Sequence, residues 1–186
     1  NMRSVLYDQL RHSETIIFNR CDDSTRTLYL RNNIKAMNKR AQLIYENKDG
    51  TIRAAAQEEL PFDVNADPIV LEDYDYGIWY MDALENPRKY EGKTVTYNAK
   101  VYPVNETRPN AYVLGREAMV CCSDDTSLIG WWVHTKQFKP RPLSWVRITG
   151  RIRVEYDEGY GGEVCAIEEL AREELPHHEE DYVYFT

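Results

Sequence analysis

The sequence predicts an α+β protein in two parts. Over roughly the first fifty residues, helix-spaced apolar positions alternate with compact apolar runs, which points to a partial α/β parallel-sheet segment. From Thr94 onward, five short strand-like stretches are separated by turn-forming residues, which points to a small five-stranded OB-like β-barrel. The expected boundaries are residues 1–63 for the first part, 64–77 for a linker and 78–186 for the second.

The elements can be justified in order. Met2, Val5, Leu6 and Leu10 fall at helical spacing, and Thr15-Ile16-Ile17-Phe18 is the kind of apolar run found in a buried parallel strand. Asn19 to Ser24 is polar and turn-rich, with Ser24 or Thr25 available to cap a following helix. That helix carries Leu30, Ile34, Met37 and Ala41 along one face. Gln42 to Glu46 forms the next strand, closed by the turn Lys48-Asp49-Gly50. Residues from about Ala54 to Asp75 are acidic and contain Pro61 and Pro68, with only Ile69-Val70-Leu71 resembling a strand. A helix is expected over Ile78 to Glu85, ended by Asn86-Pro87. The five later strands are expected at Thr94–Val104, Ala111–Cys122, Leu128–Thr135, Trp145–Glu155 and Glu163–Leu170.

A net charge of −8 disfavours attraction to phosphate backbones, so no nucleic-acid partner is expected. Trp79, Tyr80, Trp131, Trp132 and Trp145 therefore read as packing residues rather than a base-stacking platform. No window holds the roughly 18 apolar residues of a membrane helix, and Met2 leads into no apolar leader. Cytoplasmic localisation is the expectation, with reduced thiols at Cys21, Cys121, Cys122 and Cys165. Asn105-Glu106-Thr107 matches a glycosylation acceptor, read as accidental without a secretion signal.

Asn19-Arg20-Cys21-Asp22 follows an apolar strand and resembles the N-K-x-D motif with which P-loop GTPases read guanine. A carboxylate at the fourth position can accept from the guanine N1–H and exocyclic amine, and Arg20 can stack where Lys is usual. Asn and Asp are also common in such turns because they satisfy loop amides. The flanking stretches Gln9 to Asp22, Ile34 to Ile44 and Asp49 to Ile52 resemble, in order, segments of the CobW/UreG/HypB class of GTPases. That resemblance implies Asn19, Arg20 and Asp22 as guanine ligands, GTP and Mg²⁺ as cofactors of an intact protein, and a part in metal trafficking. Gly92-Lys93-Thr94 mimics the end of a P-loop, but Pro87 stands where its first Gly belongs and the tripeptide joins a helix to a strand. GTP hydrolysis is expected only if a P-loop lies upstream, and no catalysis from this chain alone.

Lys89 to Val95, Val113 to Cys122, Trp145 to Gly150 and the closing Glu179 to Phe185 resemble the C-terminal domain of YcgQ-type proteins, putative permease subunits. A link to a membrane permease follows as an implication of that resemblance. Adjacent Cys121 and Cys122 could bind zinc or another transition metal, with Asp124, Asp125, His134 or Cys165 completing the site. Plain packing is the competing reading, since one of two adjacent strand cysteines normally points inward. His177-His178 reads as part of a solvated acidic tail, and Glu155, Asp157, Glu158 and Glu163 as hairpin residues rather than a Ca²⁺ site.

The functional expectation is a CobW-like GTP-binding fragment with a partner-binding OB-like domain. The alternative is a non-enzymatic binding module or permease accessory. Either way a protein partner, or self-association through the incomplete sheet edge, is expected.

Overall fold

A computed structural model describes residues 2–53, 60–104, 108–119, 126–176 and 182–185, with side chains from residue 5 onward. The chain divides into two compact units, residues 1–59 with 185–186, and residues 60–184.

In the first unit, α1 (Met2–His12) and α2 (Thr27–Met37) accompany β1 (Thr15–Cys21) and β2 (Gln42–Asn47). β1 and β2 pair in parallel from Thr15 opposite Gln42 to Phe18 opposite Tyr45. Ile16, Ile34 and Ala41 form the core, with Leu10, Phe18, Met37 and Leu43 packed against them. The helical spacing of Ile34 and Met37 thus places an apolar stripe over the strand pair. Ala41 joins the core from the connection before β2 rather than from α2, which ends at Met37.

The second unit contains β3 (Ile69–Val70), α3 (Asp73–Glu85), α4 (Pro87–Tyr90), β4 (Thr94–Tyr102), β5 (Ala111–Met119), β6 (Thr126–His134), β7 (Trp145–Asp157), β8 (Gly162–Leu175) and β9 (Tyr182–Tyr184). The overall class is mixed α+β, as expected. β4 pairs antiparallel with β5, β5 with β6, and β7 with both β4 and β8. The parallel contact of β6 with β8, Val133 opposite Ile167, completes a ring of five strands. β3 adds in parallel to β4 and β9 to β5. The crossing of β5 and β6 is close at Gly115, which lies opposite Gly130. A Cβ on Gly115 would sit 2.5 Å from the Ile129 carbonyl oxygen, so only glycine fits there.

α3 begins five residues before the expected Ile78. The Glu72 amide donates to Asp75 Oδ2 at 3.1 Å, so acids that read as linker form the first turn of a helix, where the helix dipole favours them. The helix then delivers Tyr76, Trp79 and Tyr80 into the core. Tyr80 lies 4.5 Å from Trp131 between ring centroids, and Trp79 lies 5.2 Å from Tyr97. The Tyr76 hydroxyl donates to the Ile129 carbonyl at 3.1 Å. Beside them Arg116, 1% exposed, donates to Asp73 Oδ1 at 2.7 Å and lies 5.4 Å from the Trp145 ring. Trp79, Tyr80, Trp131 and Trp145 are thus core residues, as expected, whereas Trp132 is only half-buried.

Burial raises the phenols of Tyr76 and Tyr97 well above their ordinary range. Burial, then hydrogen bonds to Asp82 and Glu169, does the same for Tyr90 and Tyr112. Burial also pushes the Cys165 thiol up to about 12. These groups lose protons more easily in the unfolded chain, so their contribution to stability is complete below about pH 9 to 10 and declines as pH rises beyond it. Of the fourteen tyrosines, these four should ionise only with unfolding. An alkaline titration should therefore show part of the phenolate absorbance rising together with the loss of circular dichroism. A complete phenolate step before any loss of structure would contradict this burial.

Among the described residues, no helix is long and apolar enough to cross a membrane.

Candidate functional site

Strand geometry sends successive side chains to opposite faces. On β6, Trp131 and Val133 are buried, so Trp132 and His134 point the other way. Arg108, just before β5, lays its guanidinium 4.3 Å from the Trp132 ring centroid. Glu155 and Asp157, two apart near the end of β7, flank the same cation: Arg108 reaches Glu155 Oε1 at 3.3 Å and Asp157 Oδ2 at 3.5 Å. The other Glu155 oxygen lies 3.0 Å from His134 Nε2. Asp157 Oδ1 accepts from the Tyr160 amide at 2.7 Å, and Lys139 Nζ donates to the Arg108 carbonyl at 2.9 Å.

The result is an aromatic face edged by a cation, an imidazole and two carboxylates. Its members come from the connection before β5, from β6 and from β7, and ring closure brings them together. Charged groups held around a partly exposed tryptophan give both contact area and directional hydrogen bonding, the combination that anchors protein interfaces. The sequence carried one usable signal: adjacent Trp131 and Trp132 on a strand must face opposite ways, so both could not be core. Arg108 carried none, because its partners lie more than twenty residues away.

The residues singled out in the first unit are placed differently. Asn19 and Arg20 lie within β1, not after it, and Arg20 has φ 58° at a break in the β1–β2 register between Phe18 and Cys21. The Asp22 carboxylate accepts from the Ser24 amide at 3.1 Å and the Ser24 hydroxyl at 2.5 Å, and meets Lys48 Nζ at 2.9 Å. Those hydrogen bonds, with the Lys48 charge, hold its carboxyl well below the usual carboxylate range. Asp22 thus serves as the acceptor of a local turn, the alternative use of Asp in such loops. It borders a shallow depression shared with Asp23, Lys48, Asp49 and Arg53, and Arg53 pairs with Asp23.

Cys121, Cys122, Asp124, Asp125, His177 and His178 lie outside the described residues, as do Asn105 to Thr107. Of the groups expected to complete a metal site, His134 is engaged with Glu155. Cys165 is buried beneath α3 and α4, its sulfur 3.7 Å from the Ala83 carbonyl oxygen. Among the described residues no group of three or more His, Cys, Asp or Glu is placed to hold a metal ion. Glu163 is tied to Arg88, away from Glu155 and Asp157, which share Arg108. Gly92, at φ 79°, sits in the turn from α4 to β4, the helix-to-strand order opposite to that of a P-loop.

Comparison with protein families finds one description, the DUF1980 C-terminal domain, matched over residues 46–185. The chain belongs to this family. The match corrects the composite expected from sequence, a CobW-like GTPase segment joined to a YcgQ-type domain: no P-loop GTPase family is detected, and the DUF1980 domain itself starts within β2. GTP binding and metal homeostasis came with that resemblance, and the family match supports neither. No curated protein matches the chain. Among solved structures, the crystal structure of RecJ in complex with Mn²⁺ from Thermus thermophilus aligns with 96% of this chain at 11% identity and a TM-score of 0.30. The chain spans only 34% of that one, and at such a score the likeness carries neither fold nor activity across.

Proposed function

We propose that the DUF1980 domain is a non-enzymatic binding module, in which the five strands act as an OB-like barrel and present the Trp132 face to a protein partner. The observation that carries this reading is the Arg108 guanidinium over Trp132, flanked by Glu155 and Asp157. OB-folds bind their ligands on the face of the second and third strands and the loops beside it. β5 and β6 are the second and third strands of this ring, and Arg108 belongs to the connection that precedes β5. Two carboxylates at the face repel phosphate, which favours a polypeptide over a nucleic acid.

Site-specific photo-crosslinking tests the proposal. A crosslinking residue at exposed Glu158, beside the face, should capture one defined protein in the native cells. The same residue at exposed Arg147 should not. Combining the Glu158 probe with Arg108→Ala and Trp132→Ala should abolish the product. With the partner in hand, Trp132→Ala should weaken the complex about 30-fold, the scale of an interface anchor, with the melting temperature little changed. A product that survives the double substitution, or none at all, would remove the Trp132 face as the docking site.

A further inference from the structure

The connection between β6 and β7, residues 135–144, is locally basic. It holds Lys136, Lys139 and Arg141 and no acid, in a chain of net charge −8. It also exposes the largest apolar surface of any single described side chain by fraction: Phe138 is 96% exposed, and Leu143 is 58% exposed. A lone exposed apolar residue is ordinary in a flexible loop. This connection is instead pinned along its length. The Phe138 carbonyl accepts from Arg172 at 2.9 Å, and Arg172 is itself held by Glu169, which is almost fully buried and also accepts from Tyr112. Lys139 donates to the Arg108 carbonyl, Pro140 is buried, and the Leu143 amide donates to the Val101 carbonyl at 2.8 Å. Leu143 is held at φ 66°, a conformation that leucine rarely adopts.

The fold therefore commits several polar contacts and a strained backbone position to holding two apolar side chains out in water, between cations. We propose that this connection docks on an anionic lipid surface, with Phe138 and Leu143 seated among the headgroups and Lys136, Lys139 and Arg141 against their phosphates. The pairing of apolar side chains with basic ones is what interfacial membrane binding requires, since neither alone anchors a protein firmly. The Arg141–Glu174 contact, at 3.6 Å between exposed groups, is weak and can open to a phosphate. Charge complementarity selects the occupant: three cations and no acid beside two exposed apolar side chains match an anionic headgroup layer. The inference does not depend on the Trp132 face having a protein partner.

Vesicle flotation with the whole chain tests it. Vesicles of phosphatidylcholine with about 30% phosphatidylserine should carry the protein up the gradient, pure phosphatidylcholine should not, and added salt should release it. Phe138→Ser should lower the partition coefficient at least about tenfold. Lys136→Gln should lower it about fivefold. Leu143→Asn suits the left-handed backbone while removing the apolar group, so it should weaken vesicle binding without lowering the melting temperature. Equal binding to neutral vesicles, or substituted chains that float as well as the parent, would overturn the proposal. So would a parent that ignores vesicles but retains a single-stranded oligonucleotide, which would make Phe138 a base-stacking residue.

Discussion

Asp73→Ala is expected to cost about 3 kcal/mol of folding free energy. Arg116 is 1% exposed, and its Nη1 donates to Asp73 Oδ1 at 2.7 Å. Removing the carboxylate takes a close ionic partner from a guanidinium held inside the fold, and a buried cation cannot recover its hydration there. Asp73 retains about a third of its exposure, which puts the loss at the low end of that for a fully buried pair. Urea denaturation would read the change as a lower midpoint with an unchanged slope. Joint replacement, Asp73→Leu with Arg116→Met, should recover much of the loss, because apolar side chains of similar volume often serve a core as well as an ion pair. A single substitution costing under about 1 kcal/mol would mean that Arg116 reaches water easily.

Trp79→Ala should cost more, about 3 to 5 kcal/mol, a large share of the stability of an ordinary domain. Trp79 is fully buried between Tyr76, Tyr97 and Trp131, so its truncation opens a cavity in the packed rings. Its indole nitrogen has no hydrogen-bond partner among the described residues. Trp79→Phe therefore sacrifices packing but no hydrogen bond, and should cost well under half as much. A phenylalanine variant as unstable as the alanine one would show that the indole N–H is bonded after all. Both comparisons can be read from chemical denaturation in the presence of a fixed buffer and salt.

Much of the secondary structure could be read from local pattern. The five later strands fall close to the expected ranges because period-two burial and turn residues are properties of short stretches: β4 begins at Thr94 and β7 at Trp145, as expected. The start of α3 is harder to read. Its first turn is Asp73-Tyr74-Asp75-Tyr76, and an acidic run before a helix reads as linker unless the Glu72-x-x-Asp75 spacing is recognised as a cap. The Asn19-Arg20-Cys21-Asp22 stretch is ambiguous for a related reason. Asn and Asp are favoured by nucleotide ligands and by loop amides alike, and only the three-dimensional partners of Asp22, namely Ser24 and Lys48, distinguish a turn acceptor from a group presented outward.

The sequence by itself determined the α+β class, the order of the helices and strands other than α4 and β9, the acidic balance and many of the apolar residues that are buried. Those follow from residue chemistry and from periods of two or 3.6, which act over a few neighbours. Only the tertiary structure decided which tryptophan is left at the surface, that Arg108 covers it, that Asp73 answers the buried charge of Arg116, and that Phe138 is held out on a basic loop. Each of those depends on strands distant in sequence meeting around a ring. Local propensity contains no term for such meetings, whereas burial, charge pairing and chain closure act on the folded chain as a whole.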